Sequence, residues 1–524
     1  MNPDFPFGRK PPCRSSIYRA IELFRAINRA PTTDTRANEK SVVRLLASLL
    51  ALCFFANAHA VSLPAAVTQE LKKANIPQSA IAVEVREVGK HASLISINAR
   101  GPMNPASTMK LLTTYAALDL LGPAYTWKTE AYIDGELKDG VLEGDLVLKG
   151  YGDPKFTIEQ FWLWLSELRA RGLRDIRGDL VLDRSYFDLP EHDPAEFDND
   201  PVRAYNVGPD AMLLNFNTLR LRYLPDGTGL RVVSEPLLDG MRLDNQLTPN
   251  GVSGNCDNWD DRFSIQPGGD SVVLQGDYPI GCGEREQNLS VMPHTRYIES
   301  VFRTMWKNLG GTLQGRQREG QVSAAATLFS VHHSDPLSNI IRDINKFSNN
   351  VMARQLFLTL GESLPLENEA GGTPIIFSGM ETGRRMSVER SIFALQNWLV
   401  KNDMRFPELI MENGAGLSRR ERISASHMAQ LLQHASDHPM NAELQASLPI
   451  LGVDGSVKQR LNNSPAASHA HLKTGTLEGV KTIAGYVRSK RGREWIVVFF
   501  INHPYAKRGQ DAQDALIEWL AMQQ

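Results

Sequence analysis

The chain has 524 residues, 42% hydrophobic and 22% charged, which supplies apolar material for more than one core and excludes an intrinsically disordered polymer. The formal net charge is −2 and basic runs are short, so nothing in the balance points to a nucleic-acid partner.

Residues 1–60 read as a targeting segment. Lys40 and Arg44 flank the start of an apolar stretch. It runs through residues 45–56 and ends at Ala58-His59-Ala60, the small-x-small pattern of signal-peptidase cleavage. The stretch is shorter than the about 20 apolar residues a membrane span needs; a retained N-terminal anchor is the alternative. The segment before Lys40 is long for a leader and fits a start site assigned too far upstream. Cleavage after Ala60 removes Cys13 and Cys53 and leaves Cys256 and Cys282. An even pair in an exported chain favours a disulfide over two free thiols. Closing that loop of about 27 residues is worth about 3 kcal/mol in the loop-entropy model. No C-x-x-C or H-E-x-x-H spacing occurs, so no metal site is expected, and no cofactor.

Three regions follow. From 61 to 125 the pattern predicts a strand pair, at 81–85 and 94–97, and then a helix over 106–121 opened by Pro105 and stopped by Gly122-Pro123. From 126 to 295 short alternating runs are separated by Asp-Gly and Gly-Asp signals, the texture of β-rich structure, with one helix near 158–173. The near-identical segments at 144–148 and 178–182 suggest paired hairpins, and a smaller subdomain is expected at about 215–290, around the cysteine pair. From 296 to 436 helical periodicity dominates. Strands at 469–477, 482–487 and 495–502 and a helix at 510–522 then close the chain. Lys490-Arg491-Gly492-Arg493 reads as a solvated turn between two of those strands. The outer regions, 61–125 and 296–524, are expected to form one α/β (α+β) domain, with 126–295 inserted in it.

Three short motifs carry chemistry. Ser107-Thr108-Met109-Lys110 is the one Ser-x-x-Lys of the sequence. Spaced i and i+3 on a helix, the two side chains share a face. Ser107 would lie in the first turn, where free N–H groups favour developing negative charge. A serine hydroxyl needs a neighbouring base, and Lys110 can be that base if burial and nearby cations lower its pKa. Lys473-Thr474-Gly475 lies in a strand-like run; Gly475 would let a substrate backbone approach, and Lys473 and Thr474 can hold a carboxylate. The N–H groups of Thr476 and Ser107 would form an oxyanion hole. Ser348-Asn349-Asn350 opens a helical run. Ser348 can relay a proton, and Asn350 can hold Lys110 and a substrate amide. A helix N-cap is the alternative role for Ser348.

These motifs in this order resemble the trio of penicillin-binding proteins and class A β-lactamases. Over the whole mature chain the sequence resembles the low-molecular-mass class C penicillin-binding proteins, the penicillin-binding protein 4 type of D-alanyl-D-alanine carboxypeptidase and endopeptidase. The 238 positions from Lys110 to Ser348 match the large insert of that family, and class A β-lactamases hold far fewer there. Gly150-Tyr151-Gly152-Asp153-Pro154, Gly416-Leu417-Ser418-Arg419, Gly452-Val453-Asp454-Gly455 and Asn502-His503-Pro504 are further family-like phrases.

The resemblance implies a penicillin-binding/β-lactamase-like transpeptidase fold with a β-rich insertion, and a periplasmic enzyme that is acylated on Ser107. It implies peptidoglycan stem peptides and muropeptides as substrates and β-lactams as covalent inhibitors. It adds Asp153 and Arg419 as contacts for substrate side chains, with a structural ion pair as the competing role for each. One departure stands out: the usual Asp-Gly-Ser-Gly-Leu-Ser-Arg reads Asn413-Gly414-Ala415-Gly416-Leu417-Ser418-Arg419 here. Glu478 adds a negative charge beside the proposed site. A β-lactamase and a non-catalytic wall-binding protein on the same fold are the rival readings. Oligomeric state is open, and a homo-oligomer is compatible with the sequence.

Overall fold

The computed structural model describes residues 62–227, 229–251, 256–364 and 385–523. The expected targeting segment lies outside the described residues. Five antiparallel strands form the first sheet, in the order Ala470–Leu477, Val480–Arg488, Glu494–Asn502, Ile81–Glu87, Ser93–Ile97. The run from Trp495 to Ile501 is apolar at every position, as a strand covered on both faces requires. Period-two alternation divides it. Ile496, Val498 and Phe500 join a large core with Leu111, Tyr115, Trp398 and Met428. The other face is covered by the helix Gln510–Ala521, which packs on the helix Ala65–Lys73. Residues 490–493 make the expected turn between paired strands.

A second core lies in the insert. Val141–Gly150 and Lys128–Lys138 form a long hairpin at the centre of a seven-stranded sheet, and the helices Ile158–Ala170 and His294–Asn308 cover it. The near-repeat proves to be a pair of neighbours rather than two hairpins. Leu146, Val147 and Leu148 lie beside Leu180, Val181 and Leu182 in parallel register. Like sequences give like strands, here side by side.

The chain also returns from the insert later than its pattern suggests. Helix His294–Asn308 buries Tyr297, Val301, Phe302 and Trp306 in the second core. The strand Thr327–His333 pairs with Lys128–Lys138. Residues 296–333, expected with the outer region, therefore pair and pack with insert elements; the amphipathic helix matched either assignment until its partner was known. Two three-stranded sheets complete the region at about 219–289, with Cys256 and Cys282 joined in a disulfide.

Candidate active site

Pro105 leads into a single 3-10 turn, Ala106–Met109, and the α-helix begins at Lys110 and ends at Leu121. The expected α-helical start at 106 is thus a tighter turn. Side chains three apart eclipse on it, and Lys110 Nζ lies 3.1 Å from Ser107 Oγ. Ala106 precedes the serine at φ +46°, a costly conformation for a residue with a Cβ. Its neighbours hold it there. The Ala106 N–H donates to Asn104 Oδ1 at 2.9 Å, and Asn104 Nδ2 donates to the Ser418 carbonyl at 2.8 Å. Asn502 clamps the Asn104 backbone from both sides, accepting its N–H at 2.8 Å and donating to its carbonyl at 3.1 Å.

Lys110 is fully buried, and its ammonium has three partners: Ser107 Oγ, Asn350 Oδ1 at 2.7 Å and the Ala415 carbonyl at 2.5 Å. Burial pushes its pKa well below the ordinary lysine value. The Lys473 and Arg354 charges push the same way, and Glu421 opposes them.

The Ser348 turn joins two helices. Ser348 ends Leu337–Phe347 in the left-handed region, at φ +57°. Asn349 caps the next helix, Asn350–Thr359, by accepting the Met352 N–H at 3.0 Å. The capping role therefore falls to Asn349, and the Ser348 hydroxyl accepts from Lys473 Nζ at 2.8 Å.

The strand Ala470–Leu477 is the edge of its sheet. Leu472 donates its N–H outward to the Pro449 carbonyl. Alternation then aims the Thr474 and Thr476 N–H groups outward as well. Lys473 is fully buried, which brings its pKa down to about 7. Thr474 Oγ1 shares a hydrogen bond of 2.7 Å with Ser456 Oγ. A Cβ on Gly475 would stand 2.8 Å from the Ser107 nitrogen and 2.3 Å from Thr482 Oγ1, so only glycine lets the strand pass this close to the serine. Thr482, on the next strand, donates to the Pro105 carbonyl at 2.7 Å and ties the sheet to the turn.

The structure thus brings Ser107, Lys110, Ser348, Asn350 and the 473–476 strand together. Asp153 has no described contact with these residues. It is buried, its Oδ1 accepts the Lys155 N–H at 2.8 Å, and burial raises its carboxyl pKa to about 7. Arg419 lies near the end of the edge strand. Its guanidinium faces Glu478 at 3.3 Å and stacks 4.8 Å from the Phe197 ring centroid.

Sequence reasoning missed Asn104, Ser456, Arg354, Glu421 and the Ala415 carbonyl, and it marked Asn502 only as part of a family-like phrase. A backbone carbonyl leaves no mark in composition. An arginine inside the apolar run 351–360 was the one legible signal.

A model of the D-Ala-D-Ala carboxypeptidase 3 (S13) family matches residues 63–523. The chain belongs to this family. It is a serine-type D-Ala-D-Ala carboxypeptidase. The chain is 26% identical over 426 residues to the D-alanyl-D-alanine carboxypeptidase DacB of Haemophilus influenzae, covering 80% of this chain and 84% of that one. It is 28% identical over 410 residues to a D-alanyl-D-alanine carboxypeptidase of Actinomadura sp., covering 74% and 71%. The fold matches the crystal structure of penicillin binding protein 4 from Haemophilus influenzae with a TM-score of 0.70 at 22% identity, over 86% of this chain and 99% of the other. A second structure of that protein, in complex with a β-lactam, matches at 0.67 and 23%. The carboxypeptidase fold is therefore the penicillin-binding/β-lactamase-like α/β fold with added β-rich sheets.

Proposed function

We propose that this carboxypeptidase cleaves D-alanyl-D-alanine termini and crosslinks of peptidoglycan stem peptides in the periplasm through an acyl-enzyme on Ser107, and that β-lactams acylate the same oxygen. The observation that carries the reading is the position of Lys110 Nζ, held between Ser107 Oγ and two acceptors inside a pocket that lowers its proton affinity.

As a neutral amine, Lys110 donates its two N–H bonds to Asn350 and Ala415 and turns its lone pair to the Ser107 hydroxyl. Ser107 Oγ attacks the penultimate D-alanine carbonyl, and its proton passes to Lys110. The N–H groups of Ser107 and Thr476 face the developing oxyanion. The C–N bond breaks, a proton reaches the leaving nitrogen by way of Ser348 and Lys473, and D-alanine departs. Water then hydrolyses the ester and restores the serine. Lys473 and Thr474 hold the terminal carboxylate, and Arg419 beside Glu478 meets the stem-peptide side chain. The targeting segment at 1–60 supports export.

The test is digestion of purified muropeptides by protein starting at residue 61, read by mass spectrometry. Loss of one terminal alanine marks carboxypeptidase action; crosslinked dimers becoming monomers marks endopeptidase action. Intact substrate, or sustained nitrocefin turnover in place of one stoichiometric burst, overturns the reading.

A further inference from the structure

Residues 412–420 form a strap across the nucleophile turn. Gly416, at φ +79°, lies so close to the turn that a Cβ there would stand 2.0 Å from the Ala106 carbonyl oxygen. The strap is tied to itself. Asn413 Oδ1 accepts the Ala415 N–H at 2.9 Å, and its Nδ2 donates to the Leu417 carbonyl at 2.9 Å. Ser418 Oγ accepts the N–H groups of Arg420 and Glu421 and donates to the Glu412 carboxylate. The result is a fixed Ala415 carbonyl pointing at Lys110.

Glu421 anchors this arrangement. It is fully buried, and its Oε1 accepts the N–H groups of Glu412 and Asn413, each at 3.1 Å. The family's usual aspartate at 413 is an asparagine here, and a carboxylate at 421 takes the N–H of that same residue. The second oxygen, Oε2, is buried without a hydrogen-bond partner among the described residues.

A buried positive group stands in its field. Arg354 lies one turn beyond Asn350 on the helix Asn350–Thr359 and is only 8% exposed. It donates to the Val207 carbonyl at 3.1 Å, and its Nε has no partner among the described residues. Burial lowers its pKa to about 10, against the pull of Glu421 and of Glu196. A lone buried charge is costly, and an opposite charge in the same buried space lowers that cost through space without a direct ion pair.

We propose that Glu421 is a positioning residue for the reaction: with Arg354 as its counter-charge, it holds the strap so that the Ala415 carbonyl orients Lys110 toward Ser107. This rests on Lys110 being the base, as proposed above. The charges facing Lys110 are Lys473 from the edge strand, Arg354 from the helix and Glu421 immediately after the strap. Burial pushes the Glu421 carboxyl above its ordinary pKa and the neighbouring Glu412 pushes the same way, while the Glu412 and Asn413 N–H groups and Lys110 pull it back toward the ionised form. Removing the glutamate charge therefore makes Lys110 release its proton at lower pH, and removing the arginine charge makes it do so at higher pH.

The test is the second-order rate of acylation by a fluorescent penicillin between pH 5.5 and 10, on the purified protein and variants whose folding is checked by circular dichroism. We expect Glu421→Gln to move the rising limb down by about one pH unit and lower the plateau roughly tenfold, and Arg354→Gln to move the limb up by a similar amount. The double variant should restore the limb, and Glu421→Asp should keep it while lowering the plateau. Unmoved limbs in both single variants, or limbs moving in the same direction, overturn the proposal. If Glu421→Gln does not fold, Arg354→Gln and Glu421→Asp decide: the first must move the limb up and the second must leave it in place. Undiminished acylation in Lys110→Ala would sink the base assignment instead, which separates the two failures.

Discussion

The ammonium of Lys473 donates to the hydroxyl of Ser348 at 2.8 Å, joining an edge strand to a turn 125 residues earlier in the chain. Lys473 is buried there, and its pKa falls to about 7. The unfolded lysine keeps its proton up to the ordinary value of 10.5. Between these values the unfolded state binds more protons, so stability from this group rises with pH across the window and is lost as pH falls through about 7. The melting temperature of wild type minus that of Lys473→Met should climb from pH 7 to 9.5. A flat difference in calorimetry would refute it.

Ser107 is partly exposed and Lys110 fully buried, so their losses should differ. Ser107→Ala should abolish covalent penicillin labelling and leave unfolding free energy within about 0.5 kcal/mol. Lys110→Ala should slow acylation at least about 10³-fold and also destabilise the fold, because the Asn350 and Ala415 oxygens lose their donor. Gel fluorescence and urea titration on the same samples would expose any other pattern.

Gly475→Ala should act on chemistry more than on folding. The added methyl meets the Ser107 nitrogen and Thr482 Oγ1, and the edge strand can yield only by moving away from the serine. A displacement near 1 Å in an acyl-transfer site costs on the order of 10²-fold in rate. Stopped-flow acylation that matches wild type would contradict the close packing.

Asp153 is buried, and one of its carboxylate oxygens has no hydrogen-bond partner among the described residues. Its pKa is raised from 3.8 to about 7, so its contribution to stability is present below 3.8 and lost as pH rises through about 7. Asp153→Asn should therefore gain stability relative to wild type between pH 4 and 8. A melting difference that falls over that range would restore an ionic role.

Arg419 faces Glu478 while 48% exposed. Exposed pairs are worth about 0–1 kcal/mol. Arg419→Ala should leave unfolding nearly unchanged and raise KM for stem peptides while sparing kcat. A lost kcat with unchanged KM would place it elsewhere in the mechanism.

The motifs were legible because their chemistry is written in side chains at short spacing. Ser107 and Lys110 need only one turn to meet, and Lys473 lies in a strand-like run that ends in the Thr474-Gly475 signal. The insert was legible as texture, since Asp-Gly and Gly-Asp turns punctuate strands wherever they pack. Its end was not. The helix His294–Asn308 has an apolar stripe that states a need for a partner without naming one. In the same way the repeated Gly-Asp-Leu-Val-Leu segments declared two strands but not that they lie together.

What the sequence determined by itself was local: which residues turn, which alternate, and which functional groups stand three positions apart. Tertiary structure alone decided that Asn349 takes the cap and leaves Ser348 to Lys473, that the Ala415 carbonyl completes the Lys110 site, and that Glu421 and Arg354 share the buried space near it. The reason is physical. Burial, carbonyl direction and the field between charges depend on distances across the fold, and a linear pattern fixes only distances along the chain.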